Sequence, residues 1–341
     1  MKSILAFGNP LLDITIYSSC QVARLLDKYN LQIDSQKEIT KEEMCMLSKH
    51  IEGSDQQVTA GGCCQNSLRV LQWIMHKRCN VAIFGSTGQD QEADILRNIL
   101  ESDAVSTRYI TQEGLPTGKI VALVSGLYRS LVAHIGAAEV LPLSSLLAHP
   151  HFLSLFDNSD IILIEAYFLT NRFECAQYLV KRCAAEGKLL AFNLCGAYIF
   201  SIIPESIKYL VDHSNVIFGN KAEYIALSQL LNYSSIEAMA LELIEDSARR
   251  NIGKTFVITD GSRPVICYSS QESIEMKPPS IKESEIEDTT AAGDAFIGGF
   301  LAGLVTSSPI RKCIEIGLYA ASSIIKETGC SLPKYRAEIG L

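Results

Sequence analysis

The chain has 341 residues, a formal net charge of −8, and 48% hydrophobic against 20% charged residues. That composition supplies a large core and argues against intrinsic disorder. The acidic balance, with no basic run longer than two residues, argues against a nucleic-acid-binding surface.

The elements read in chain order as follows. MKSILAFGNPLLD opens with a strand over Ile4–Phe7, and Gly8, Asn9, Pro10 and Asp13 interrupt the apolar run too early for a signal peptide. Residues from about Ile14 to Thr59 do not fit a strand–helix repeat. After them come a helix over Gln65–Met75, a strand over Val81–Phe84 and a helix over Glu92–Ser102. A second irregular segment, from about Thr117 to Ala133, reads as two paired strands, KIVALVS and SLVAHI, around the turn-like GLYR. Strands then follow at Ile161–Glu165, Leu189–Asn193, Val216–Phe218 and Thr255–Thr259. They alternate with helices at Arg172–Ala185, Glu223–Leu231, Ile236–Arg249 and Asp294–Leu304.

This alternation predicts an α/β fold, a mostly parallel sheet flanked by helices. The expected large domain takes residues 1–15, 60–116 and 134–341, and a small β-rich lid takes 16–59 and 117–133. Eleven cysteines, an odd number with no CxxC, read as reduced thiols of a cytoplasmic protein, with the nucleus as an alternative. The longest uncharged run, Leu189 to Pro204, is too short for a bilayer span, so no membrane partner is expected.

Common nucleotide and metal motifs are absent. GLPTGKI at Gly114 is one residue short of a P-loop, and ARRNIGKT carries Ala248 where a P-loop needs glycine. The six histidines show no metal spacing.

Small and carboxylate residues instead gather where strands end, which is where open α/β sheets place ligands. They form GNPLLD from Gly8, AGGCCQNS from Ala60, the isolated Arg129, GNKAEY with Asn220 and Glu223, and DTTAAGDAFIGGF from Asp288. Singly each has a structural reading: Gly61-Gly62 a turn, Arg129 a hairpin charge, Asn220 with Glu223 a capping box. In DTTAAGDAFIGGF, small residues open a helix whose amides favour an anion, beside the carboxylate of Asp294.

The order GNPLLD, AGGxxQNS, PTG, RS, xFLT, NL, GNxxE and DTxxAGDAFxGGF resembles the ribokinase-like (PfkB) family of carbohydrate and nucleoside kinases. GNPLLDI, QNS at 65–67, YFLT at 167–170 and TGCSLP at 328–333 resemble its nucleoside-kinase branch. The resemblance spans the chain and implies ATP and adenosine as substrates, Mg²⁺, K⁺ as a further candidate ion, and a monomer. It implies Asp294 as general base for the 5′-hydroxyl, the amides of Ala291, Ala292 and Gly293 as an anion hole, and Arg129 as a lid residue reaching the phosphate. Asp13, Gly61, Gly62, Asn66, Asn9 and Gln36 would hold the nucleoside. Tyr167 and Tyr198 would stack on its base beside Leu11 and Leu131. Asn193, Asn220, Thr259, Gly261, Thr290 and Leu318 would meet ATP, and Glu223 would act on Mg²⁺ through water.

Four positions depart from the family pattern. Thr290 and Ala291 replace an asparagine and a glycine, Leu318 stands where nucleoside kinases typically carry histidine, and Glu38 falls near a usually apolar position. Ala291 is expected to be strained if its φ is positive. Two alternatives stay open: a sugar kinase of the same fold, and a nucleoside-binding protein with weakened phosphotransfer.

Overall fold

The structure is a computed structural model that describes residues 1–17, 19–33, 35–125 and 128–339. The side chains of residues 19, 20, 125, 128 and 129 also lie outside the described set. The strands are β1 Ile4–Phe7, β2 Leu11–Ile16, β3 Gln36–Glu38, β4 Gln56–Gly61, β5 Val81–Thr87, β6 Ser106–Thr111 and β7 Gly118–Ser125. They continue as β8 Tyr128–His134, β9 Ile161–Glu165, β10 Leu189–Asn193, β11 Val216–Asn220, β12 Thr255–Asp260, β13 Arg263–Ser269 and β14 Ser273–Met276.

One sheet has nine strands in the order β14-β13-β12-β11-β10-β9-β1-β5-β6. It is parallel from β12 to β6, with β13 and β14 added antiparallel at one edge. Parallel strands need cover on both faces, and the apolar runs provide for it. Ile4 and Ala6 join one core cluster, packed with helices Cys63–Ile74, Ala292–Val305 and Ile310–Ile324. Leu5 and Phe7 point the other way, into a second cluster with helices Phe173–Glu186 and Pro204–His213. No helix among the described residues is long and apolar enough to cross a membrane.

The second sheet has five strands in the order β3-β8-β7-β2-β4. The antiparallel pair expected in the second irregular segment is β7–β8. Two details differ from the sequence reading. β2 belongs to this sheet, although the sequence places residues up to 15 in the larger unit; LLDITI alternates, with Ile14 and Ile16 buried in a third cluster and Asp13 and Thr15 on the opposite face. The smaller unit also contains two helices, Ser19–Lys28 and Lys41–Ile51. The second starts at a capping box made by Thr40 and Glu43, and buries Met44, Leu47 and Ile51 at helical spacing.

Candidate active site

A cavity of about 870 Å³ lies between the two sheets, within the size range of small-molecule sites. Its roof is the inner face of the five-stranded sheet. One rung across that sheet, paired strand to strand, consists of Glu38, Ala133, Ile120, Asp13 and Thr59. All five line the cavity, as do Leu11, Gln36 and Leu131 from neighbouring rungs. Strand alternation puts them there while Ile14, Ile16, Val121, Leu123 and Val132 turn outward into the third cluster.

The floor is formed by strand ends and helix starts of the nine-stranded sheet. Asp294 sits in the first turn of helix Ala292–Val305 and accepts a hydrogen bond from Asn66 Nδ2 at 2.9 Å. Burial, reinforced by the charges of Glu165 and Asp13, pushes the Asp294 carboxyl up to about 7, against the opposing hydrogen bonds from Asn66 and Cys63. No side chain caps this helix. Ala292 N donates to Thr289 O at 3.2 Å, but the next amides of the turn have no side-chain cap to compete with an anion, and a Cβ placed on Gly293 would meet nothing within 4 Å. Asp288 plays a structural part, since its carboxylate accepts from Thr290 N at 2.9 Å and Gly329 N at 2.8 Å, tying this loop to the C-terminal segment.

Ala291 has φ −95°, so the methyl group sits there without backbone strain. Two glycines on the opposite wall are needed for space. A Cβ at Gly61 would fall on the Asp13 carboxylate, and Gly62, at φ +88°, would drive one into the Asn9 carbonyl. The side-chain Oδ1 atoms of Asn9 and Asn66 are buried without a hydrogen-bond partner among the described residues. Both asparagines line the cavity.

At one side of the cavity the rings of Tyr167 and Tyr198 lie 6.1 Å apart at 35°. Tyr198 remains 51% exposed, leaving a face available. Asn193, Asn220, Thr259, Gly261, Thr290 and Leu318 also line the cavity. Asn220 and Glu223 do form a capping box: Glu223 N donates to Asn220 Oδ1 at 2.9 Å, and Asn220 N and Nδ2 donate to the Glu223 carboxylate at 2.8 and 2.7 Å. Burial pushes Glu223 up to about 7. Among the described residues, no group of three or more His, Cys, Asp or Glu is arranged to hold a metal ion. A single carboxylate acting through water still fits Mg²⁺, which keeps its waters and takes phosphate oxygens.

The structure thus brings nearly all the expected site residues to one cavity. Gly61 adjoins it through Asp13 rather than lining it. Arg129 lies on β8 opposite Val124, and its side chain is outside the described residues. Sequence reasoning missed Cys63, Glu165, Arg172, Cys195 and the Pro278–Pro279 wall, all of which line the same cavity. Cys195, at φ +61° just past a strand end, Glu165, at a strand end, and Cys63, inside AGGCCQNS, had local signals; Arg172 and the prolines did not.

The chain matches the model of the pfkB family carbohydrate kinases over residues 32–336. It is 27% identical to the adenosine kinase of Dictyostelium discoideum over 338 residues, covering 98% of each chain. The crystal structure of Anopheles gambiae adenosine kinase in complex with P1,P4-di(adenosine-5) tetraphosphate superposes with a TM-score of 0.86 at 30% identity, covering 98% of this chain and 100% of that one. Adenosine kinase from Schistosoma mansoni in complex with adenosine and AMP gives 0.84 at 26% identity, covering 97% of both. With the family's length, fold and signature on one cavity, the chain belongs to the pfkB family of carbohydrate kinases.

Proposed function

We propose that this kinase transfers the γ-phosphoryl group of ATP to the 5′-hydroxyl of adenosine, giving AMP and ADP. One observation carries the reading. A carboxylate whose affinity for protons is raised stands in the first turn of an uncapped helix, facing a roof with a second carboxylate.

Asp294 accepts the hydroxyl proton as the oxygen attacks phosphorus, and the bond from phosphorus to the leaving oxygen of ADP breaks. The amides of Ala291 and Gly293 face the charge on the moving group, and that of Ala292 joins them if it gives up its bond to Thr289 O. Asp13 holds the ribose diol from the roof, and Asn66 steadies both the Asp294 carboxylate and the sugar. Tyr167 and Tyr198 cover the purine. Thr259, Gly261, Thr290 and Leu318 border the donor nucleotide, with Asn193 and Asn220 beside its phosphates. Mg²⁺, held through water at Glu223, would supply charge neutralisation on the phosphates. The five-stranded unit is assigned the role of a lid that excludes water and delivers Arg129 to the phosphate.

The two tyrosines favour a nucleoside over a free sugar, which has no base to stack. The unstrained Ala291 removes one reason to suspect weakened transfer. The reading is tested by a coupled assay with ATP and Mg²⁺ and adenosine, inosine or ribose as acceptor. ADP formation should depend on adenosine. Turnover with ribose alone would make the protein a sugar kinase, and tight adenosine binding without ADP formation would make it a binding protein.

A further inference from the structure

Glu165 ends β9 at the cavity floor, and only 1% of it is exposed. One carboxylate oxygen accepts from Asn9 N at 2.8 Å and the other from Cys64 N at 2.8 Å. These amides belong to two segments 55 residues apart that both face the cavity: the turn after β1 and the first turn of helix Cys63–Ile74. The backbone is shaped to admit this carboxylate, because a Cβ on Gly8 would lie 2.6 Å from Glu165 Oε2.

No ion pair reaches Glu165 among the described residues. The nearby buried Arg172 spends its guanidinium on the carbonyls of Ala138, Tyr167 and Thr170 and acts on Glu165 only through its field. An apolar side chain would fill this interior position with less desolvation. What the carboxylate does that an apolar residue cannot is hold two backbone segments at once.

We propose that Glu165 is a positioning residue of the phosphotransfer site, stapling the Asn9 turn to the start of helix Cys63–Ile74. The inference rests on the reading of Asp294 as the base. The helix whose start is stapled also carries Asn66, whose Nδ2 donates to Asp294 at 2.9 Å, so the staple and the base share a support. The groups acting on Asp294 come from several elements: Asn66 and Cys63 on the helix, Glu165 on β9 and Asp13 on β2; Cys330, from the C-terminal segment, is close enough to feel its charge.

The test compares kcat and KM for adenosine in Glu165→Gln, Glu165→Asp and Asp294→Asn. Glu165→Gln turns an amide donor toward one of the two backbone donors, so its KM should rise about tenfold or more, with kcat less affected. Glu165→Asp keeps both acceptor oxygens but is one methylene too short to span both amides, so its KM should rise as well. Wild-type KM in both variants, or a loss confined to kcat, overturns the proposal. If Glu165→Gln fails to fold, Glu165→Asp decides alone, and an unchanged KM there overturns it. Undiminished turnover in Asp294→Asn would overturn the base assignment separately, leaving the KM comparison as the measure of the staple.

Discussion

The two sheets that enclose the cavity are built differently. The nine-stranded sheet is covered on both faces, and its contribution to the site comes from strand ends and the helices that follow them. Asp294, Asn66 and Glu165 are held there by hydrogen bonds of 2.8–2.9 Å. The five-stranded sheet has one face packed under helices Ser19–Lys28 and Lys41–Ile51 and offers the other face itself to the cavity. Its contribution follows from strand alternation, which sets Asp13 and Glu38 on the same rung. A rigid floor suits the atoms that react, where small displacements are costly. A side-chain-lined roof suits recognition. Changing the reacting carboxylate of the floor should therefore act on turnover and changing roof side chains on adenosine affinity, while Glu165, which positions backbone rather than reacting, acts on KM.

The largest effect should come from the floor. Asp294→Asn keeps the shape and removes the proton acceptor, and should lower kcat about 10²–10⁴-fold in the coupled assay. The same change should raise the melting temperature at neutral pH. Asp294 has a raised folded-state pKa, so its contribution to stability is present below its unfolded pKa and is lost as pH rises through about 7. A stabilised, inactive variant is the expected pair of results; an active one breaks the division.

The roof counterpart is Asp13→Ala. A carboxylate on the ribose diol makes charge-assisted hydrogen bonds worth about 1.5–3 kcal/mol each. Calorimetric titration should show adenosine binding weakened by at least tenfold with kcat less affected. Equal binding of 2′,3′-dideoxyadenosine and adenosine by the wild type would remove Asp13 from this role.

Gly61→Ala sharpens the comparison. Its methyl group would collide with the Asp13 carboxylate without touching the floor. KM for adenosine should rise while kcat changes little, and an equal loss of kcat would show that the collision reaches the reacting groups.

Much of this arrangement was legible in the sequence because it is local. Ile236–Arg249 is an amphipathic helix capped by Ser235, and β1, β9 and β10 are short apolar runs. The site motifs stand at turns where small residues follow strands. Other elements were hidden by context. β13 begins with Arg263-Pro264 and lies between β12 and the edge strand β14, with the proline near its start. Helix Lys41–Ile51 places its three buried residues among charges that mask the pattern. Glu165 gave one local sign, a charge closing an apolar strand, but its partners arrive through β1 pairing beside β9 and through the helix above them.

The smallest effect should come from Ala291→Gly. With φ at −95° there is no strain to relieve, so glycine adds only backbone entropy, about 0.5–1 kcal/mol against stability. Turnover should be unchanged or slightly reduced; a clear gain in kcat would mean that the methyl group obstructs the phosphate.

The division between floor and roof is tested most directly by calorimetric titration of adenosine into Asp294→Asn and Asp13→Ala side by side. The account predicts that Asp294→Asn, although inactive, binds adenosine about as tightly as the wild type while Asp13→Ala binds at least tenfold more weakly. Loss of binding in folded Asp294→Asn with wild-type affinity in Asp13→Ala would contradict it.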